Sequence, residues 1–152
     1  MVRIVLTLLT ISLVACGSTP APQVGADPGP VKAVQQFMQA VADSNLNRMA
    51  ELWGTAKGSA AETRQPPDYQ KRVAIMWAYL HGTTAKVQGE VEHGAGRSVL
   101  AVEVIRSGCR KRVPFTVVST NGGVWVINAI ELGLVGAPGT PCPAEERSPP
   151  PP

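Results

Sequence analysis

The chain has 152 residues and a formal net charge of +3; 44% of its residues are hydrophobic and only 16% are charged. So small a charge excess does not indicate a nucleic-acid-binding protein, and so large a hydrophobic share excludes a chain that is disordered throughout. Without the two terminal segments described below, about 100 to 110 residues remain, which is enough for one domain with its own hydrophobic core.

The first sixteen residues read MVRIVLTLLTISLVAC, with Arg3 as their one charge. A positive charge before a short apolar run is typical of a signal peptide, and the run is shorter than the roughly 20 residues of a membrane span. The run ends in Leu13-Val14-Ala15-Cys16, which resembles the lipobox of bacterial lipoproteins. The alternative is an ordinary secretory signal that happens to contain a cysteine.

The lipobox resemblance implies where the protein resides. Residues 1–15 would be a signal peptide, and Cys16 would carry a diacylglyceryl group, often with a further acyl chain such as palmitate. The protein would then be anchored by lipid in the cell envelope, on the periplasmic or extracellular side. If the bacterium has two membranes, Gly17 after the cysteine favours the outer membrane.

Residues 16–30 are rich in Gly, Pro, Ala and Ser and show no apolar periodicity, which predicts a flexible tether. A first helix is predicted from Pro30, because apolar residues recur after it at three- and four-residue spacing. The polar break Asp43-Ser44-Asn45 can cap a second, short helix that ends near Gly54. Residues 54–67 have the composition of a loop.

Asp68 can cap a third helix, which closes at His81-Gly82. The apolar spacing then changes to two, which predicts strands near residues 87–91, 98–106, 110–119 and 124–132. Pro114 in the third strand favours an edge or a bulge, since proline lacks a backbone donor. Helices followed by an antiparallel meander define an α+β domain over residues 31–135, and the Pro-rich residues 136–152 are predicted to be a disordered or extended tail.

Cys109 and Cys142 remain once Cys16 is assigned to the lipid, and export favours a disulfide. Cys109 lies in the predicted turn between the second and third strands, and Cys142 follows the last strand by about ten residues. In a meander, that turn lies at the end of the sheet where the fourth strand finishes. The sequence therefore predicts a Cys109–Cys142 disulfide; the alternatives are free thiols or a bond to another chain.

Two stretches resemble the NTF2-like (SnoaL-like, cystatin-like) superfamily. Residues 31–54 give a helix, a polar break and a second helix that ends near an aromatic residue, and NGGVWVINAIEL gives a closing hairpin with a Trp-x-Ile centre. The resemblance implies helices packed on a curved four-stranded antiparallel sheet, in a cone with a pocket at its open end. Such domains often dimerise through the outer face of the sheet, which the apolar character of residues 98–106 and 124–130 would allow.

Members of this superfamily are isomerases, dehydratases or non-catalytic binding domains, and the enzymes use Asp, His or Tyr groups inside the cone. The present sequence shows no pair of carboxylates, no Ser/His/Asp set and no metal-ligand spacing, so no catalytic residue, metal site or cofactor is predicted. The single histidines and acids are interpreted as solvated residues or helix caps: His81, His93 and Glu103 as solvated, Asp43 and Asp68 as caps.

The three tryptophans, Trp53, Trp77 and Trp125, are the candidates for binding a ligand, because each side chain offers a large apolar face and one donor. A role in the core is the alternative. A basic run around Cys109 could contact anionic lipid headgroups or cell-wall polymers, or it could be a solvated strand end; it consists of Arg106, Arg110, Lys111 and Arg112.

The sequence thus predicts a lipid-anchored envelope protein with a non-catalytic NTF2-like domain that binds a ligand or another protein. The alternative is an enzyme of the same fold, an isomerase or dehydratase acting on a small apolar substrate in the envelope. The expected partners are the membrane, an envelope protein or small apolar ligand, and a second copy of the chain, but no nucleic acid.

Overall fold

The computed structural model describes residues 28–141. They form an α+β arrangement in which helices come first and a four-stranded antiparallel sheet follows, as predicted. The predicted signal peptide with Cys16, and residues 142–152 of the predicted Pro-rich tail with Cys142, lie outside the described residues. No helix within them is both long enough and apolar enough to cross a membrane.

The described part of the chain contains three longer and two very short helices. They are α1 (Pro28–Ala42), α2 (Leu46–Leu52), α3 (Ala60–Thr63), α4 (Tyr69–Leu80) and α5 (Leu132–Val135). The first helix begins two residues before the predicted start at Pro30, and proline suits the first turn of a helix. Asn45 caps α2 as the polar break predicted, since its side chain accepts a hydrogen bond from the backbone N–H of Arg48 at 2.9 Å.

Two aspartates predicted to cap helices make other hydrogen bonds instead. Asp43 follows the end of α1 and accepts from the side-chain amide of Gln39 at 2.9 Å. Asp68 occupies the N-cap position of α4 without a capping bond, and its Oδ1 accepts from Nε of Arg72 at 3.0 Å. This hydrogen bond to Arg72 lowers the pKa of Asp68, because a charged guanidinium is a stronger donor to a carboxylate than a backbone N–H.

The sheet has the order β3-β4-β5-β6, with every neighbouring pair antiparallel. Its strands are β3 (Thr84–Gly94), β4 (Arg97–Arg106), β5 (Cys109–Ser119) and β6 (Trp125–Ile130). Pro114 lies in β5, which is an interior strand. It pairs with Ala101 of β4, whereas the pairing of β5 with β6 begins one residue later, at Phe115 and Ile130. The missing donor of Pro114 therefore falls just beyond the last β5–β6 pair, where its carbonyl still accepts from the backbone N–H of Glu131 at 3.3 Å.

One face of the sheet packs on the helices and the other does not. Alternate residues of β4 and β5 are fully buried or nearly so on the inner face: Leu100, Val102, Val104, Val113, Phe115 and Val117. The first helix lies across this face and contacts all four strands, and it buries Val34, Phe37 and Val41 there. The hydrophobic core is thus the layer between α1 and the inner face.

Residues 54–67 are not the plain loop that their composition predicts. A hairpin of two short strands, β1 (Gly54–Thr55) and β2 (Gly58–Ser59), leads directly into α3. The hairpin is held on β6 by Asn128, whose backbone carbonyl accepts from Nε1 of Trp53 at 3.2 Å and whose side chain donates to the carbonyl of Gly54 at 2.9 Å. Strands of two residues are too short to show a periodicity, so the sequence pattern could not indicate them.

Candidate functional site

A groove of about 700 Å³ runs between α1 and β3. Its helix wall is one side of α1, and its strand wall is the segment 83–89 at the edge of the sheet. The helix residues recur every three or four positions, which places them in a row on one side of the helix: Val31, Val34, Gln35, Met38, Gln39 and Ala42. The groove, called the α1–β3 groove below, has the volume of a small-molecule site.

The groove is lined mostly by apolar residues and by uncharged polar residues. Val31, Met38 and Val87 supply apolar surface, and glutamine amides and threonine hydroxyls supply neutral hydrogen-bonding groups. Lys86 is the one charged residue of this lining. Such a wall can cover an apolar body and form a few directional hydrogen bonds, which is the usual composition of a ligand site.

Two β-bulges change which residues of β3 face the groove side of the sheet. The register with β4 shifts at Gln88 and again at Val91. Each extra residue reverses the alternation of faces, so Glu90 pairs with Leu100 and His93 pairs with Ser98. Directly paired residues of an antiparallel sheet lie on the same face. Glu90 and His93 therefore lie on the inner face.

Glu90, His93 and Ser98 form a hydrogen-bonded group that we call the Glu90 cluster. Ser98 is fully buried and its hydroxyl donates to Oε1 of Glu90. The Nδ1 atom of His93 lies 2.8 Å from the same oxygen. Within residues 28–141 no group donates to the second oxygen, Oε2. The Glu90 side chain is 16% exposed and that of His93 is 57% exposed, so the cluster is reachable from solvent.

The hydrogen bond from Ser98, followed by that from His93, lowers the pKa of Glu90, and partial burial opposes the shift without reversing it. The carboxylate is therefore ionised at neutral pH and is a weak base. In a nucleophilic triad the histidine stands between the acid and the serine, whereas here the carboxylate stands between the other two. The arrangement suits the holding of positive charge better than the removal of a proton.

The sequence does not predict this cluster, because the alternation near residues 87–91 predicts an unbroken strand and gives no reason to single out Glu90. His93 is interpreted from the sequence as a solvated residue, and the pattern does not distinguish Ser98 from its neighbours. The available signal was Gly89, since an isolated glycine inside a strand pattern suggests a bulge. A bulge at that point moves Glu90 to the inner face.

The three tryptophans are half-buried and pack against the hydrophobic core. Trp53 also lines a second cavity of about 320 Å³ between α4, β6 and α5. Trp77 stacks on His81 at a centroid distance of 4.5 Å, and Trp125 opens β6. None of the three lines the α1–β3 groove, so the structure places the candidate ligand residues apart from the larger cavity, and their binding role stays a prediction.

The residues of the basic run around Cys109 make different contacts. Arg106 donates to the carbonyl of Tyr79 and, at 3.3 Å each, to the carbonyls of Gly136 and Ala137. Arg110 pairs with Glu103 at 3.2 Å, with both side chains partly exposed. Arg106 is thus a structural residue that joins the end of α4 to the chain after α5, rather than part of a uniform cationic patch.

Arg106 also bears on the predicted disulfide. It is the residue opposite Cys109 in the β4–β5 ladder, so the segment at Ala137 passes close to the strand end that carries Cys109. Cys142 is five residues further on, a stretch that can span about 17 Å, but it lies outside the described residues. The pairing of Cys109 with Cys142 therefore stays a prediction.

The outer face of the sheet carries half-buried Val99, Ile105 and Val118 beside the Glu103–Arg110 ion pair. The predicted dimer through this face stays a prediction.

Among the residues that the structure describes, no group of three or more His, Cys, Asp or Glu side chains lies where it could hold a metal ion. Comparison of the sequence with models of known protein families and with curated proteins gives no match.

The Glu90 cluster generates a prediction about acid stability. Because the pKa of Glu90 is lower in the folded chain than in the unfolded chain, the ionised cluster stabilises the fold above the unfolded-state pKa of about 4.3. That stabilisation is lost as the pH falls through the folded-state pKa. We expect Glu90→Gln to make the free energy of unfolding, measured by urea denaturation, less dependent on pH between about pH 5 and pH 3.

The matched control is Glu92→Gln, which removes an exposed carboxylate of the same strand that pairs with Arg97 at 3.1 Å. Exposed ion pairs contribute little, so this variant should keep the pH dependence of the unmodified chain. Equal curves for the two variants would contradict the role given to the cluster.

A disulfide between Cys109 and Cys142 would close a loop of roughly 34 residues and stabilise the fold by about 3 to 4 kcal/mol. Mass spectrometry of peptides from the unreduced mature protein should therefore recover the two cysteines in one linked fragment. The Cys142→Ser variant should unfold at lower denaturant concentration, and Ser148→Ala, six residues further along the chain, serves as the control. Labelling of both cysteines as thiols under native, non-reducing conditions would contradict the pairing.

Proposed function

We propose that this chain is a lipid-anchored cell-envelope protein whose NTF2-like domain binds a ligand in the α1–β3 groove without catalysing a reaction. The observation that carries the proposal is the groove itself, a space of about 700 Å³ with an apolar and mostly uncharged lining. A wall of this composition gains free energy by covering apolar surface and selects its ligand by a few polar contacts.

The NTF2-like cone is part of the proposal. Its support is the position of α1 across the inner face of the sheet, in contact with all four strands. Both edge strands also take part in bulges, at Gln88 and Val91 in β3 and between Thr116 and Val117 opposite β6. Bulges bend a strand and increase its twist, which is what a sheet needs in order to curve around a helix.

The enzyme of the same fold is the second candidate, and the Glu90 cluster is the observation that favours it. Glu90 and His93 lie on the inner face, the side on which enzymes of this superfamily carry their acids and histidines. An isomerase or dehydratase needs a base whose pKa lies near the working pH, and the hydrogen bonds from Ser98 and His93 lower the pKa of Glu90. The binding function is therefore the first proposal.

The anchor is tested at Cys16. Two or three acyl chains hold a protein on a membrane, whereas a single chain binds only marginally. We expect Cys16→Ser to move the protein from the membrane fraction to the soluble fraction, or to leave an uncleaved precursor, on an immunoblot of fractionated cells. The control is Ser18→Ala, two residues further on. A Cys16→Ser protein that still fractionates as a mature, detergent-extracted species would contradict the anchor.

The groove is tested by filling it. Met38 is half-buried in the helix wall of the groove, and Gln36 is exposed on another side of the same helix. We expect Met38→Trp to weaken the binding of the neutral probe phenylbutanol at least about 10-fold, which corresponds to about 1.4 kcal/mol, because the indole occupies the ligand's place. Calorimetric titration of the full chain in lipid nanodiscs, corrected with empty nanodiscs, measures the affinity.

Gln36→Trp adds the same side chain outside the groove and should bind the probe as the unmodified chain does. If the two variants bind equally well, or if the unmodified chain does not bind the probe at all, the groove is not a ligand site of this kind. If Glu90→Gln and the unmodified chain bind the neutral probe equally, the apolar walls alone account for its affinity.

A further inference from the structure

We infer that the α1–β3 groove takes a cationic amphiphile, a molecule whose apolar body lies between α1 and β3 and whose ammonium or guanidinium group pairs with Oε2 of Glu90. The inference rests on the function proposed for the groove and names the class of ligand. The inference is based on the position of the Glu90 carboxylate, on the hydrogen bonds that orient it, and on the absence of a partner for its Oε2 atom within the described residues.

The position follows from the register of β3. The inward-facing residues of this strand are, in order, Ala85, Val87, Glu90 and His93, opposite Val104, Val102, Leu100 and Ser98 of β4. The first two line the groove. Glu90 is the next inward-facing residue, about 7 to 10 Å further along the strand. A ligand that lies along the groove thus reaches Glu90 at the end of its apolar wall.

The carboxylate is held in a fixed orientation with one oxygen left over. Both described donors, the Ser98 hydroxyl and the imidazole of His93, go to Oε1. Rotation of the carboxylate would break these two bonds, and Ser98 is fully buried and cannot follow it. An acceptor that is already oriented loses little conformational freedom when a ligand binds, which favours affinity.

The missing partner is a permanent positive charge. Four other carboxylates of the described chain pair with arginine: Glu51 with Arg48, Asp68 with Arg72, Glu92 with Arg97, and Glu103 with Arg110. The exposed Asp43, Glu62 and Glu131 form no ion pair in that part of the chain. Within the same residues, Glu90 has an ion-pair contact with His93 alone, and that contact goes to Oε1. A partly buried carboxylate attracts a cation more strongly than an exposed one does, because water screens it less.

An anionic ligand fits the groove less well. Lys86 is the charged residue of the groove lining. It lies directly opposite Glu103 in the β3–β4 register, and the side chain of Glu103 is on the outer face of the sheet. Its ammonium group therefore belongs to the outer side of the sheet, opposite to Glu90. On the inner side, the charge that a ligand meets is negative.

The test compares three probes with the same apolar body and different heads: phenylbutylamine, phenylbutanol and phenylbutyrate. Each is titrated calorimetrically into the unmodified full chain in nanodiscs of uncharged lipid, with empty nanodiscs as the blank. We expect the amine to bind about 10-fold more tightly than the alcohol, a difference of about 1.4 kcal/mol, and the acid to bind most weakly. This comparison needs no variant.

Glu90→Gln should lower the affinity for the amine to that for the alcohol and leave the alcohol unchanged. Glu92→Gln, on the outer face of the same strand, should retain the preference for the amine. Binding of the alcohol without preference for the amine, or preference for the acid, would overturn the inference and leave the groove as a binding site. Failure of all three probes to bind would instead overturn the function proposed for the groove, and this inference with it.

Discussion

The burial of one side of α1 against the inner face of the sheet is the constraint on which the rest of this structure depends. Phe37 and Phe115, the two phenylalanines of the chain, are fully buried in this layer, from the helix and from the sheet respectively. With so few large aromatic side chains, the core is filled mainly by valine, leucine and methionine. Full burial of each such side chain stabilises the fold by roughly 1.5 to 3 kcal/mol. The stability of the domain therefore depends on close packing of these side chains between α1 and the sheet.

The groove is a consequence of the same contact. The buried stripe of α1 runs through Val34, Phe37 and Val41, while Val31, Met38 and Ala42 lie to one side of it. The sheet ends at β3, which is an edge strand with mostly exposed residues. The helix side that faces this edge meets no further strand, so apolar surface remains uncovered between α1 and β3. Two bulges in β3 also protect the edge against pairing with another chain, since they interrupt its regular ladder.

The sequence predicted what local periodicity and caps determine. The amphipathic spacing of α1 and α4, the Asn45 cap and the four alternating segments are all present in the structure. It did not predict what depends on distant partners. The hairpin at Gly54 is held by Asn128, more than seventy residues away, whose backbone carbonyl accepts from Trp53 and whose side-chain amide donates to the carbonyl of Gly54. Asp68 forms a bond to Arg72 rather than to the backbone, and no spacing rule chooses between these two donors.

The candidate site could not be predicted from the sequence for a related reason. A β-bulge changes the face of every residue after it, and the two bulges of β3 place Glu90 on the inner face and Glu92 on the outer face. A charged group on an otherwise apolar face costs free energy unless it is fully paired. The hydrogen bonds from Ser98 and His93 reduce that cost, and Glu90 in turn supplies the acceptor for the hydroxyl of Ser98, which is fully buried. The two bulges of β3 thus place the Glu90 carboxylate on the inner face, where it satisfies the buried Ser98 hydroxyl through Oε1 and leaves Oε2 for the contact with a ligand proposed above.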